Sequence, residues 1–252
     1  MLDRDVFCRP IAHRGLHRVE DGVIENSVAA FEAALPLGYG IECDLQPAND
    51  GTPMVFHDHA LGRLVEAKGA TSDYSPAALR KLVYRAAHGR QHILSLGEML
   101  DLVGGKVPLL IEVKTDWSAP NADFVSAIAD VLGRYRGPAA VMSFDPAYVA
   151  ALKPVLPDTP RGVVAGVYRK GWLPEPFDED LAWRLSNLLT SRGAEPHFIA
   201  YCVDDLPTPV MRFWREGLGM PLFAWTVRTP EAMANARLWA DAPIFEAVDP
   251  KA

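Results

Sequence analysis

Strand-like and helix-like stretches alternate along this 252-residue chain, and the number of alternations limits the folds open to it. Eight apolar runs carrying β-branched residues read as strands: residues 9–12, 40–45, 108–113, 139–144, 162–167, 197–203, 222–227 and 244–248. Helical patterns lie between them with their own punctuation. Asn26-Ser27 caps a helix through Leu37 that Gly38 ends, Asn121 caps one through Tyr135, and Asp145-Pro146 opens a short one. Helices over 179–191, 209–216 and 230–240 complete the set. Eight strand–helix repeats in about 250 residues predict a (β/α)8 TIM barrel. The competing doubly wound sheet usually has fewer strands and a glycine-rich phosphate loop after the first. Neither GxGxxG nor GxxxxGK[ST] occurs here.

One connection breaks the rhythm. The segment from Pro47 to Val103 is too long for a simple βα unit. Asp50-Gly51 signals a hairpin turn before a short strand over residues 54–56. A loop with Lys68-Gly69, a capped helix over 75–82 and a helix over 96–103 follow. We read residues 47–103, roughly, as a small insertion between strand 2 and its helix, set over the barrel mouth, within a single domain spanning 1–252.

Composition removes several function classes. The net charge of -7 with no basic cluster argues against nucleic acid as a partner. No apolar run approaches the roughly 18 residues of a membrane span, so no integral membrane segment is expected. The N-terminal residues are polar and lack an apolar signal region, and the expected location is cytoplasmic. Cys8, Cys43 and Cys202 are odd in number and have no CxxC spacing, as expected of reduced core thiols. Oligomeric state is not legible.

In a barrel, chemistry sits at the C-terminal ends of the strands. His13-Arg14 follow strand one, Glu42 and Asp44 end strand two, Glu112 and Lys114 end strand three, and Trp225 lies near the end of strand seven. Residues two apart on a strand share a face. Glu42, Asp44 and Glu112 offer only oxygen ligands, which suits Mg²⁺, Ca²⁺ or Mn²⁺ rather than zinc. The bland alternative is three unrelated carboxylates at strand termini. His13 and His57 are the candidates for proton transfer, because imidazole titrates near neutrality. His17, His59, His88, His92 and His197 are assigned structural roles by default. Arg14 offers a planar fork of donors for a phosphate, or an ordinary salt bridge. Trp225 is either core or ligand wall.

Taken in order, these motifs resemble a known family. His13-Arg14-Gly15, Glu25-Asn26, Glu42-x-Asp44, Asp50-Gly51, Val55-x-His57-Asp58, Glu112-x-Lys114 and Trp225-Thr226-Val227 are similar to the glycerophosphodiester phosphodiesterases. Each motif is short, and their ordered combination over nearly the whole chain is specific. The resemblance implies a barrel with an inserted segment and a divalent metal on Glu42, Asp44 and Glu112. It also implies acid and base work by His13 and His57, with Arg14 and Lys114 on the phosphate. The implied reaction is hydrolysis of a glycerophosphodiester to glycerol 3-phosphate and an alcohol. Attack by the glycerol 2-hydroxyl through a cyclic phosphate and direct attack by water both remain open, as does the assignment of acid and base. Two departures bear on the substrate pocket. Arg63 is followed by Leu64 where the family often has Arg-Thr, and Ala247-Val248-Asp249-Pro250 stands where it often has Thr-Asp. The rival readings are a phospholipase-D-like lyase acting on lysolipid or sphingolipid headgroups, and a non-catalytic phosphopolyol-binding protein.

Overall fold

The computed structural model describes residues 1–89 and 91–251. Arg90, inside the expected insertion, and Ala252, the last residue of the expected domain, lie outside the described residues. Nine strands form: β1 (Ile11–Ala12), β2 (Gly40–Pro47), β3 (Pro53–Val55), β4 (Leu109–Val113), β5 (Ala139–Ser143), β6 (Arg161–Ala165), β7 (Phe198–Cys202), β8 (Leu222–Val227) and β9 (Ala242–Phe245). Their order is β1-β9-β8-β7-β6-β5-β4-β2-β3, and β1 also pairs with β2. Eight strands thus close on themselves with helices between them, the topology of a (β/α)8 barrel, and β3 hangs antiparallel on β2. No helix among the described residues is long and apolar enough to cross a membrane.

Local chemistry explains most element boundaries. Ser27 Oγ accepts from Ala30 N and starts the helix Val28–Ala34, which tightens into a 3-10 turn before Gly38 at φ 69°. Ser95 and Glu98 form a reciprocal capping box on the helix Leu96–Val103, which Gly104 ends. Several expected elements shift, among them the helix expected over 75–82, which forms only over Pro76–Leu79. The last strand stops at Phe245 instead of Val248, because Ala247 takes φ 56° and breaks the extended run. The helix expected over 179–191 ends at Ser186, two residues before Leu188 at φ 58°. The one expected over 209–216 is an α-turn, Pro209–Arg212, continued by a π-turn over Phe213–Gly217. A short helix, Arg4–Phe7, capped by Asp3, was not foreseen.

The chain separates into two units, each treated by itself. One comprises Ala12–Lys114 and Asn121–Ala139. In it β2 is buried on both faces, with Ile41, Cys43 and Leu45 on one and Glu42, Asp44 and Gln46 on the other. β4 runs parallel to it with Asp44 opposite Glu112. The Asp50-Gly51 turn, with Gly51 at φ 81°, returns the chain as β3. Beyond it Met54, Phe56, Leu61, Val65, Leu79 and Ile93 form an apolar cluster under the long connection. The other unit comprises Met1–Ile11, Thr115–Pro120 and Ala140–Ala252. It carries β6 to β9, each paired parallel with the next. The three cysteines are free thiols, two of them buried.

Candidate active site

Seven of the eight residues singled out from the sequence lie in the unit that carries β2 and β4. Glu42 and Asp44 leave the same face of β2, and Glu112 stands beside Asp44 on β4. One carboxylate oxygen from each lies within 4.8 Å of the others, and all three side chains are buried. Ionised carboxylates buried without partners would each cost on the order of several kcal/mol, so compensation decides whether the group survives folding. Lys114, two residues past Glu112, supplies part of it. Its Nζ lies 2.5 Å from Glu112 Oε1 and 2.8 Å from Asp44 Oδ1. The contact with Asp44 is close as an ion pair yet off the line of a hydrogen bond.

Glu42 fares differently. Its Oε2 accepts from the backbone N–H of Arg14 at 3.0 Å, while the buried Oε1 has no hydrogen-bond partner. Burial first, and then the negative charges of Asp44 and Glu112, hold its carboxyl well above the ordinary range. Asp44 is pushed up by burial but pulled far below its usual value by Lys114, then His57, Arg14 and His13. Asn26 Nδ2 donates to Asp44 Oδ2 at 2.8 Å, which fixes the carboxylate plane. Arg14 and Asn26 both hold positive φ, 55° and 56°, and Asn26 N donates to Arg14 O. Non-glycine residues in this region store about 1–3 kcal/mol of strain each and cluster at functional sites.

A second chain of charges reaches His57. Its Nδ1 lies 2.7 Å from Asp58 Oδ1. Asp58 also accepts from Arg63 Nε at 2.5 Å and Arg63 Nη2 at 3.1 Å. Arg63 extends to Glu25 through Nη1 at 3.0 Å and Nη2 at 2.7 Å. Arg14 Nη1 meets the same Glu25 at 2.8 Å, and its Nε lies 3.3 Å from Asp44. Burial would raise the Glu25 carboxyl, but Arg63 and Arg14 together hold it below its usual value. His13 Nε2 lies 3.9 Å from Glu42 Oε2. His59 is exposed and joins none of these bonds. Trp225, the eighth residue, lies in the other unit. It packs on Phe144 at 5.2 Å and Trp172 at 5.7 Å between ring centroids, within a cluster that also holds Tyr168 and Trp117.

The model of the glycerophosphoryl diester phosphodiesterase family matches residues 13–245, which contain this whole network. The chain belongs to that family. It is therefore a phosphoric diester hydrolase. A glycerophosphodiester phosphodiesterase of Caldanaerobacter subterraneus subsp. tengcongensis is 28% identical over 232 residues, covering 88% of this chain and 87% of that protein. Among solved structures, an Oleispira antarctica phosphodiesterase in complex with the product sn-glycerol-3-phosphate shares the fold at a TM-score of 0.74 and 20% identity, over 96% of this chain and 94% of that one. A Thermotoga maritima glycerophosphodiester phosphodiesterase does so at 0.68 and 21%, over 95% and 94%.

Sequence reasoning gave no role to Glu25, Asp58 or Arg63 in this enzyme. Glu25 and Asp58 sit inside recognised motifs. No spacing signals that Arg63 reaches both, 38 residues from one and 5 from the other. Asp58 orients the His57 ring, since a carboxylate on one ring nitrogen fixes the tautomer. Asp58→Asn keeps an acceptor but removes the charge. It should lower kcat about 10–100-fold with KM little changed. A variant with wild-type kcat would remove Asp58 from this role.

Proposed function

We propose that the enzyme hydrolyses glycerophosphodiesters to glycerol 3-phosphate and an alcohol, with a divalent cation held by Glu42, Asp44 and Glu112. The observation that carries this reading is a charge deficit. Five carboxylates, Glu25, Glu42, Asp44, Asp58 and Glu112, meet three fixed cations, Arg14, Arg63 and Lys114, in one connected network. With all five ionised two positive charges are lacking, and the place of the deficit is Glu42, whose carboxyl is pushed up and whose buried Oε1 has no partner. A divalent ion supplies both, and the all-oxygen donor set fits Mg²⁺, Ca²⁺ or Mn²⁺. When bound, such an ion stabilises negative charge developing on the phosphoryl oxygens.

The chain's own residues divide the remaining work. Arg14 and Lys114 hold the phosphate. Arg14 is already braced through Nε and Nη1, so the phosphate contact falls to Nη2. His57, anchored at Nδ1, presents Nε2 for a proton, and His13 serves the complementary step. One takes the proton of the attacking hydroxyl, the other gives one to the departing alkoxide, and the two exchange roles if a cyclic phosphate is opened by water. The product complex of the Oleispira phosphodiesterase supports the choice of substrate class.

The decisive test is release of glycerol 3-phosphate from glycerophosphocholine or glycerophosphoethanolamine, with and without added Mg²⁺, Ca²⁺ or Mn²⁺. Metal-dependent release is expected. A stable cyclic phosphate as the only product would mark a lyase, and no turnover of any diester would mark a binding protein.

A further inference from the structure

A second polar cluster lies where the proposed reaction has no use for it. Arg161 is the first residue of β6, and His197 immediately precedes β7. Both stand at the N-terminal ends of parallel strands, whereas barrel enzymes keep their chemistry at the C-terminal ends. The two are locked together: Arg161 N donates to His197 Nδ1 at 3.2 Å, and His197 N donates to Arg161 O at 2.7 Å. Nδ1 is therefore the acceptor, and Nε2 carries the ring proton. They line a cavity of about 530 Å³ together with Ser191, Arg192, Glu195 and Trp214.

Arg161 is 6% exposed. A guanidinium has five N–H donors. Here Nε donates to Ala194 O at 2.9 Å, and the closest acid to Nη2 is Glu195 Oε2, at 3.9 Å. Glu195 is itself mostly exposed and bound to Lys153 at 2.6 Å, so it belongs to another cation. Ser191, 2% exposed, has an Oγ with no hydrogen-bond partner. The Nη1 and Nη2 of Arg161 are not buried out of reach but border the cavity, where an acceptor can meet them. Arg192 adds a further positive charge on the same wall and forms no ion pair among the described residues. Leu188, Leu189, Pro196 and Trp214 supply apolar surface beside these donors. A cavity of this size, largely apolar with a few convergent polar groups, is the usual form of a small-molecule site.

We propose that this cavity binds a small organic phosphomonoester, its phosphate on Arg161, Arg192 and His197 Nε2 and its apolar body on Leu189 and Trp214. The site is separate from the hydrolytic one and is built only from residues 161–214.

Calorimetric titration of the full chain with phenyl phosphate and with inorganic phosphate tests it. The wild type should bind phenyl phosphate at a site beyond the single catalytic equivalent, about tenfold more tightly than inorganic phosphate. Loss of a charge-assisted hydrogen bond is worth about 10–100-fold in affinity. Arg161→Gln, Arg192→Ala and His197→Asn should each lose the extra site by that factor. In His197→Asn the amide oxygen replaces the acceptor for Arg161 N. Arg192→Ala and His197→Asn should leave hydrolysis of glycerophosphocholine unchanged. If Arg161→Gln does not fold, as judged by far-UV circular dichroism, the other two variants decide. Absence of the extra site in the wild type, equal affinity for the two ligands, or wild-type binding in Arg192→Ala and His197→Asn each overturns the proposal.

Discussion

Replacing His57 by alanine should lower kcat on a glycerophosphodiester by about 10²–10⁴-fold, and His13→Ala should do the same. The structure gives each a different electrostatic setting. His57 rests on Asp58, which Arg63 clamps from the other side, while His13 faces the Glu42 carboxylate. A pair that exchanges protons with one substrate acts as a unit, so the double variant should lose little beyond either single one. Leaving-group chemistry separates the roles. A diester that departs as nitrophenolate needs little help from a general acid. The variant lacking the acid should therefore recover much of its rate on it, and the variant lacking the base should not. Equal rescue of both, or of neither, would mean the wrong pair. In the wild type the rate should be bell-shaped in pH, because one imidazole must be neutral and the other protonated.

Glu42→Gln should abolish turnover and yet make the metal-free protein more stable. Glu42 is buried beside Asp44 and Glu112, and its folded-state carboxyl lies well above the ordinary value of about 4.3. A raised carboxyl means that the folded state holds a proton the unfolded state has released. Stability is therefore lost as pH rises from the unfolded pKa through the folded one. Glutamine carries no such cost and can still accept from Arg14 N. Each 1 kcal/mol recovered is worth roughly 2–4 °C in Tm for a chain of this size. Added Mg²⁺, Ca²⁺ or Mn²⁺ should reverse the ranking. At a hundredfold excess over Kd a ligand adds about 2.7 kcal/mol to the protein that binds it, and only the wild type should gain. Scanning calorimetry at pH 7 with chelator and then with metal reads both arms. A wild type whose Tm ignores all three ions would refute the site.

The carboxylates were legible in the sequence because strand geometry has a period of two. Glu42 and Asp44 had to share a face of β2, and Lys114, just past the end of β4, falls on the side of Glu112. That Asp44 stands opposite Glu112 depends on register between strands, which no local spacing records. The helix that starts at Val28 was legible for the same local reason, since Asn26-Ser27 announces it. The end of β9 was not, because Ala247 has no reason in its own chemistry to prefer positive φ. Arg63 was the largest omission. An arginine at the end of a 3-10 turn is ordinary until the fold carries Glu25 and Asp58 to it, and only then does it link Arg14 to His57.

The side-by-side placement of Asp44 and Glu112 has a consequence for biosynthesis. β2 leaves the ribosome long before β4, and until β4 arrives Glu42 and Asp44 are two like charges with neither Lys114 nor the third ligand of the proposed metal site. A cation therefore has no complete cage to template on the nascent chain. It can be captured only after the two strands have aligned, and a slip of one residue would turn Glu112 to the opposite face. Metal capture should accordingly be a late event in maturation, and the time course of ion uptake during refolding should report the completion of this strand pair.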